Sequence, residues 1–339
     1  MTRTGSRTTG RPTLAEVARL SGVSPITVSR ALRGVATVAP ELVEKVKAAA
    51  AELGYVANPA ARALASAQSQ SVVVLIPSLS NQLFVETLDA IHDVLRPRGL
   101  DVLIGNYHYD AAIEESLIRN YLACQPRGLL LTGLERSDTA RQMLDASRVP
   151  RVYMMELDSQ DGAVCVGFSQ QQAGYAAARH LLERGRRRLG FIAAQLDPRV
   201  LQRAEGFRRA LGEAGVHDAS LELMVPQPSS IALGGELFSQ LLARHPDLDG
   251  IFFCNDDLAH GAIFQAQRQG VSVPGQVAMV GFNDLPASAH MVPRLTSIRT
   301  PLAAVGQQAA QALLDLLDGK GQHKAPRDLG FELMIRESS

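Results

Sequence analysis

Two arginines, Arg199 and Arg203, follow the apolar run RLGFIA (188–193). Paired guanidiniums can hold a carboxylate through a bidentate fork of N–H donors; they could equally ion-pair across a lobe. Polar side chains recur at the ends of similar runs. Ser78, Asn81 and Phe84 follow VVVLIP (72–77), Asn106 and Tyr107 follow DVLIGN (101–106), and Thr132 ends GLLLTG (128–133). Glu156 closes RVYMME (151–156), Asp197 precedes the arginines, Asn255 and Asp256 follow GIFFCN (250–255), and Asn283 follows QVAMVGF (276–282). A single polar strand end is an ordinary loop, but so many furnished ends predict a pocket between lobes for a small polar ligand. The chain has no Trp. A pyranose ring therefore has no indole to stack on, and hydrogen bonds must do the gripping, as suits an acyclic or acidic sugar.

Other chemistries find no footing. There is no G-x-G-x-x-G or G-K-[ST] after a strand, no G-x-S-x-G elbow and no His pair at metal spacing. The eight His are scattered, and one such as His260 reads as surface or as support for a neighbour rather than as a catalyst. Cys124, Cys165 and Cys254 form no C-x-x-C pattern and read as buried thiols of a reducing compartment. No enzyme activity, cofactor or metal is expected.

The runs that carry the polar ends are short, apolar and followed by helix-length segments. They read as βαβ units building two parallel sheets, whose carboxyl ends are where such folds bind ligands. Apolar residues make up 46% of the chain, enough for a real core. No run approaches the roughly 18 apolar residues of a membrane span. The opening MTRTGSRTTG is polar and reads as a disordered tail over 1–11, not as a leader, so a cytoplasmic, nucleoid-associated protein is expected.

Residues 12–57 have a different pattern. Thr13 and Glu16 form a capping box before TLAEVARL, whose Leu14, Val17 and Leu20 give an apolar stripe. Ser21-Gly22 stops that helix; Ser24 caps the next, with Pro25 at its first position. A third helix from Pro40 to Leu53 buries Val43, Val46, Ala50 and Leu53. Helix, short Gly-containing turn, helix and supporting helix make the helix-turn-helix plan, in which the second helix enters a major groove. Arg30 suits a guanine or a phosphate, and Thr27 and Ser29 suit phosphate oxygens. Pro25 and Ile26 would read thymine methyls or shape. Residues 1–70 hold nine Arg/Lys against four acids, so a head of +5 sits on a body of −5, consistent with a polyanion partner for the head. Over 58–71, Asn58 can cap a short helix carrying Ala61 and Leu64 on one face. That Leu is either an apolar wedge for a kinked minor groove or a linker residue packed on a neighbour.

The stretch TLAEVARLSGVSPITVSRALRG followed by LGYVANPAARAL resembles the head and hinge of the lactose-repressor (LacI) family. FFCNDDLAHGA, VGFND, PRLTSIRTP and ELMIRES resemble its sensor core, which is similar to periplasmic sugar-binding proteins. The resemblance implies an all-α helix-turn-helix head plus a two-lobed α/β core of the type I periplasmic-binding-protein kind. It implies that Pro25, Ile26 and Arg30 read bases and that Ala61 and Leu64 lever open a minor groove; with Thr13, Ser24, Thr27, Ser29 and Asn58 these make the expected DNA contacts. It implies Arg203 as the ligand-gripping arginine and Asn255 and Asn283 as lining of the far lobe. Asn283 stands where many members carry Asp. PSLSNQLF, QLDPR (195–199) and DLGFEL are closest to gluconate and 2-ketogluconate repressors, which implies a sugar-acid effector.

The expected organisation is a head at 12–57, a hinge at 58–71 and a core at 72–339. The N-lobe would take about 72–160 and 294–322, and the C-lobe about 161–293 and 323–339. Two half-sites in an operator imply a two-fold homodimer. No leucine-heptad tail follows the last candidate strand, so a tetramer is not expected.

Overall fold

The computed structural model describes residues 12–56, 69–79, 82–157, 163–320 and 326–339. It divides into two units, residues 1–69 and 70–339. Asn58, Ala61, Leu64 and Asn81, with the tail and most of the hinge, lie outside the described residues.

The first unit contains α1 (Leu14–Ser21), α2 (Pro25–Leu32) and α3 (Pro40–Leu53). The Thr13–Glu16 capping box forms, and Gly22 ends α1 in the left-handed conformation. Ser24 caps α2 by accepting from the Thr27 amide. The core is Val17, Ala18, Val28, Ala31, Val46, Ala49 and Ala50. Leu20, expected in the stripe, is exposed, while Ala18 and Ser21 turn inward. With two small side chains facing in, the helices can pack closely.

The second unit has two six-stranded sheets. The first is built from β1 (Ser71–Ile76), β2 (Asp101–Asn106), β3 (Gly128–Thr132), β4 (Arg151–Met154), β5 (Val164–Gly167) and β11 (Arg327–Asp328), in the order β11-β5-β4-β3-β1-β2. Around it lie α4 (Leu83–Leu95), α5 (Ala111–Ala123), α6 (Asp138–Ser147) and α11 (Leu302–Leu317). The second sheet has β6 (Leu189–Ala194), β7 (Glu222–Val225), β8 (Gly250–Phe253), β9 (Ala278–Asn283), β10 (Thr296–Arg299) and β12 (Glu332–Met334), in the order β12-β10-β9-β8-β6-β7. Its helices are α7 (Gln170–Glu183), α8 (Pro198–Glu213), α9 (Ile231–Arg244) and α10 (Asp256–Gln269). All pairings are parallel except β10 with β12.

The lobe boundaries differ from those read in the sequence. Val164–Gly167, assigned to the C-lobe, pairs with β4 and β11 in the first sheet. Thr296–Arg299, assigned to the N-lobe, lies between β9 and β12 in the second, and Arg327–Asp328 returns to the first. The chain thus changes lobe after β5, after β10 and after β11. A buried parallel strand is apolar on both faces whichever sheet receives it, so hydrophobic pattern alone does not locate the crossings. Cys124 is exposed rather than buried; Cys165 and Cys254 are buried.

In the second lobe, Phe191, Phe207, Phe252 and Phe282 form a chain of ring contacts with centroids 5.4–6.4 Å apart. Helices α7 and α8 touch backbone to backbone. A Cβ on Gly174 would lie 2.1 Å from the Arg203 carbonyl oxygen, and one on Gly206 would lie 1.9 Å from that of Gln171. Only glycine admits so close an approach. That contact brings Gln170, at the start of α7, to Arg203, one turn into α8.

Candidate functional site

In the head, Pro25 and Ile26 occupy the first two positions of α2 and both are exposed. Ile26 is 66% exposed. Arg30 is exposed one turn further on, and Thr27 and Ser29 are half-buried. Thr13 and Ser24 are occupied as caps. The Thr13 hydroxyl donates to Glu16 at 3.0 Å, and Ser24 Oγ accepts from the Thr27 amide at 3.1 Å and lies 2.9 Å from Thr27 Oγ1. Each satisfies helix-end groups that would otherwise need water.

In the core, the carboxyl ends of both sheets face one cleft that both lobes line. The first lobe supplies Ser78 after β1, Phe84 of α4 and Thr132 of β3; the second supplies Asp197, Arg199, Arg203, Asn255 and Asn283. Sequence reading missed Tyr109, Phe168, Gln170, Gln195 and Asp257, which also line it. Phe168 and Gln170 straddle the crossing after β5, a strand the sequence did not reveal.

Four expected residues do not line this cleft. Asn106 turns to His108, with Nδ2 3.2 Å from its Nε2. Tyr107 is buried, its hydroxyl donating to the Thr132 carbonyl at 3.3 Å, and it walls an adjoining recess with Glu114 and Glu135; burial pushes its phenol pKa up. Glu156 lies behind Arg199. Asp256, the first residue of α10, is fully buried and bonded to Ser297, Ser288 and the Leu285 amide. It is its neighbour Asp257 that reaches the cleft.

The two arginines have opposite electrostatic surroundings. Arg199 Nη1 donates to Glu135 of the other lobe at 2.8 Å and lies 3.7 Å from Glu156; its Nε is 3.5 Å from Asp197. Burial by itself would lower its pKa, but Asp197, Glu135 and their neighbours raise it. Asp197 also caps α8, accepting from the Arg199 amide at 2.9 Å and the Val200 amide at 3.2 Å. Burial pushes the Glu156 carboxyl up to about 7 against the opposing pull of Arg199.

Arg203 is equally buried, yet among the described residues no carboxylate lies within ion-pair distance of it. Its Nε donates to Gln170 Oε1 at 2.8 Å, and its Nη1 to the Cys254 carbonyl at 2.7 Å and to Asn255 Oδ1 at 3.3 Å. The guanidinium lies 3.7 Å from the centroid of the Phe282 ring, a cation–π contact. Burial lowers its pKa to about 10. Neutral acceptors and a ring face thus hold a cation at the cleft wall, leaving its charge open to an anion.

Comparison with known proteins agrees with both halves. Residues 13–58 match the family described as bacterial regulatory proteins, lacI family, and residues 178–339 match a periplasmic binding protein-like domain. The chain is 67% identical over 334 residues to the HTH-type transcriptional regulator GntR of Pseudomonas aeruginosa, covering 98% of this chain and 97% of that one. It superposes on the transcription regulator GntR of Chromobacterium violaceum with a TM-score of 0.77 and 49% identity, covering 79% of this chain and 99% of that one. It also superposes on the lac repressor dimer bound to operator and an anti-inducer, with a TM-score of 0.83 and 25% identity over 97% of this chain and 99% of that one. With its helix-turn-helix head and its two-sheet sensor core, this chain belongs to the LacI family of bacterial regulatory proteins.

Proposed function

We propose that the protein is a cytoplasmic, non-enzymatic repressor that grips a palindromic operator as a homodimer and is released by a six-carbon sugar acid, gluconate or 2-ketogluconate. The observation that carries the effector class is Arg203, a buried guanidinium at the cleft wall whose hydrogen-bond partners among the described residues are neutral, with Asp197 near but beyond ion-pair distance. A sugar-acid carboxylate supplies the missing charge. Asp197, Gln170, Asp257, Asn255 and Asn283 offer donors and acceptors for a hydroxylated chain. The choice of acid rests on the resemblance of PSLSNQLF, QLDPR and DLGFEL to sugar-acid repressors. In the head, the exposed Ile26 and Arg30 are the residues we assign to base edges, and Thr27 and Ser29 to phosphates. Ala61 and Leu64 are assigned to the minor groove.

The effector acts by preferring one arrangement of the lobes, since only differential affinity can move the equilibrium. A thousand-fold loss of operator affinity needs about 4 kcal/mol of coupling, within reach of a few charge-assisted hydrogen bonds made in one state only. The test is operator binding by fluorescence anisotropy at fixed salt, titrated with gluconate, 2-ketogluconate and, as the uncharged control, glucose. Release by either acid and not by glucose supports the reading; indifference to both acids ends the effector assignment. The alternative, a sugar-binding receptor without a regulatory role, predicts no sequence-selective, salt-sensitive DNA binding at all.

A further inference from the structure

Asp256 presents an oddity: a fully buried carboxylate one residue from the cleft, with both oxygens turned away from it. Its Oδ1 accepts from Ser297 Oγ at 2.7 Å, and its Oδ2 accepts from the Leu285 amide at 2.7 Å and from Ser288 Oγ at 2.7 Å. The chain makes room for it at Gly281, where a Cβ would sit 2.1 Å from Oδ1.

All three donors belong to, or hold, the segment that leaves β9. Ser297 Oγ accepts from the Asp284 amide at 3.1 Å while donating its own proton to Asp256. In the turn they hold, Asn283 and Asp284 both have positive φ, 105° and 55°; Asn and Asp tolerate the second value, while 105° lies outside the ordinary left-handed region and needs support from the surroundings. Ser288 gives its one proton to Asp256, so the 2.8 Å contact with His260 Nε2 requires His260 to donate from that nitrogen. The His260–Ser288–Asp256 chain therefore ties α10 to the far side of the same turn, and Asp284 is further clamped by Arg299 at 2.8 Å and by Arg336 at 2.5 Å.

We propose that Asp256 is a positioning residue for the effector site: it holds the turn after β9 in its positive-φ conformation and so presents Asn283 to the cleft. The proposal rests on the cleft being the effector site, and it assigns Asp256 an effect on the ligand through Asn283 alone. An amide at position 256 keeps the volume but supplies an acceptor on only one of its two atoms, so the three converging donors are no longer all satisfied.

The test is a double-mutant cycle of Asp256→Asn and Asn283→Ala, read as gluconate and 2-ketogluconate affinity by calorimetry. Asp256→Asn should weaken binding about 30-fold on its own, while the double variant binds no worse than Asn283→Ala, because the effect passes through a residue already removed. Additive losses overturn the proposal. A second arm uses sugar-free protein: amide exchange at Asp284 and Leu285 should accelerate at least about ten-fold in Asp256→Asn, reflecting local opening of the turn. Unchanged protection there overturns the proposal too, and this arm still decides if the wild type binds neither acid, the result that would defeat the effector reading instead. Should Asp256→Asn fail to fold, Ser297→Ala removes the donor to Asp256 Oδ1 together with the acceptor of the Asp284 amide, and exchange should speed at Leu285, whose own acceptor on Asp256 remains, with a weaker loss of affinity of about five-fold; no change in either refutes the idea.

Discussion

Arg199 and Arg203 stand one helical turn apart at the start of α8, and both are buried. Arg199 is surrounded by Glu135, Glu156 and Asp197; Arg203 has glutamine, asparagine, a carbonyl and a phenylalanine ring. Identical side chains on one helix have thus been given opposite tasks by their neighbours. A guanidinium already neutralised by three carboxylates gains little from a fourth. One lodged among neutral acceptors gains a full charge-assisted pair when an anion arrives. The first is a fastening between lobes, the second a vacancy for charge. The sequence left open a two-arginine fork or an ion pair across a lobe; Arg199 makes the second, with Glu135 of the first lobe.

The sharpest way to break this contrast is to remove the vacancy. Arg203→Met keeps most of the side-chain length but neither charge nor donors. Loss of a buried charged hydrogen-bond partner is worth about 3 kcal/mol or more, so sugar-acid affinity should fall at least about 100-fold by calorimetry. The variant should remain on operator DNA at effector concentrations that release the wild type. Wild-type affinity in this variant would show that the acid binds elsewhere.

How far the sequence carried the reading follows from the same contrast. The capping box at Thr13, the turn at Gly22 and the apolar runs are local signals, and the head and most parallel strands were legible from them. Asn255 and Asn283 were marked as candidates because they stand at the ends of strongly apolar strands, whereas Arg203 lies inside α8 and was named through the family resemblance. Illegible were the features decided by partners distant in sequence. Glu135 meets Arg199 across 64 positions, and Gln170 reaches Arg203 through the close approach of α7 and α8, where Gly174 meets the Arg203 backbone and Gly206 that of Gln171. Asp256 and Asp257 are adjacent and chemically alike, and only the helix register sends the second to the cleft and the first into the interior. Val164–Gly167 (VCVG) is a short apolar run that either sheet could accept, and Thr296–Arg299 (TSIR) holds one aliphatic residue, too little pattern to mark a strand at all.

The fastening can be probed through pH. The folded-state pKa of Glu156 is raised from 4.5 to about 7 by burial. A raised carboxyl favours folding in its protonated form. Its contribution is therefore fully present below the unfolded value near 4.5 and is lost as pH rises through about 7. Glu156→Gln removes the titration and remains neutral throughout. Relative to the wild type, it should gain stability on going from pH 5 to pH 8, on the order of 2 kcal/mol, read as a difference in denaturation midpoints at the two pH values. Parallel curves for the two proteins would mean that Arg199 keeps Glu156 ionised across the range. In that case the two arginines would differ less in kind than the geometry suggests.

The smallest effect belongs to the bond that joins the lobes most directly. Glu135 is 37% exposed at its side chain, so water screens its attraction to Arg199, and Asp197 and Glu156 remain when it is neutralised. Glu135→Gln should therefore cost only about 0.5–1 kcal/mol. If the lobe arrangement that carries the Glu135–Arg199 pair is also the one the sugar acid prefers, that loss must appear in effector binding as a two- to five-fold weaker affinity, shrinking further at high salt. Arg203 variants should show no such salt sensitivity in what binding remains, because the vacancy is buried. An affinity in Glu135→Gln equal to the wild type at low salt would sever the fastening from ligand recognition and leave Arg199 a stabiliser of the fold alone.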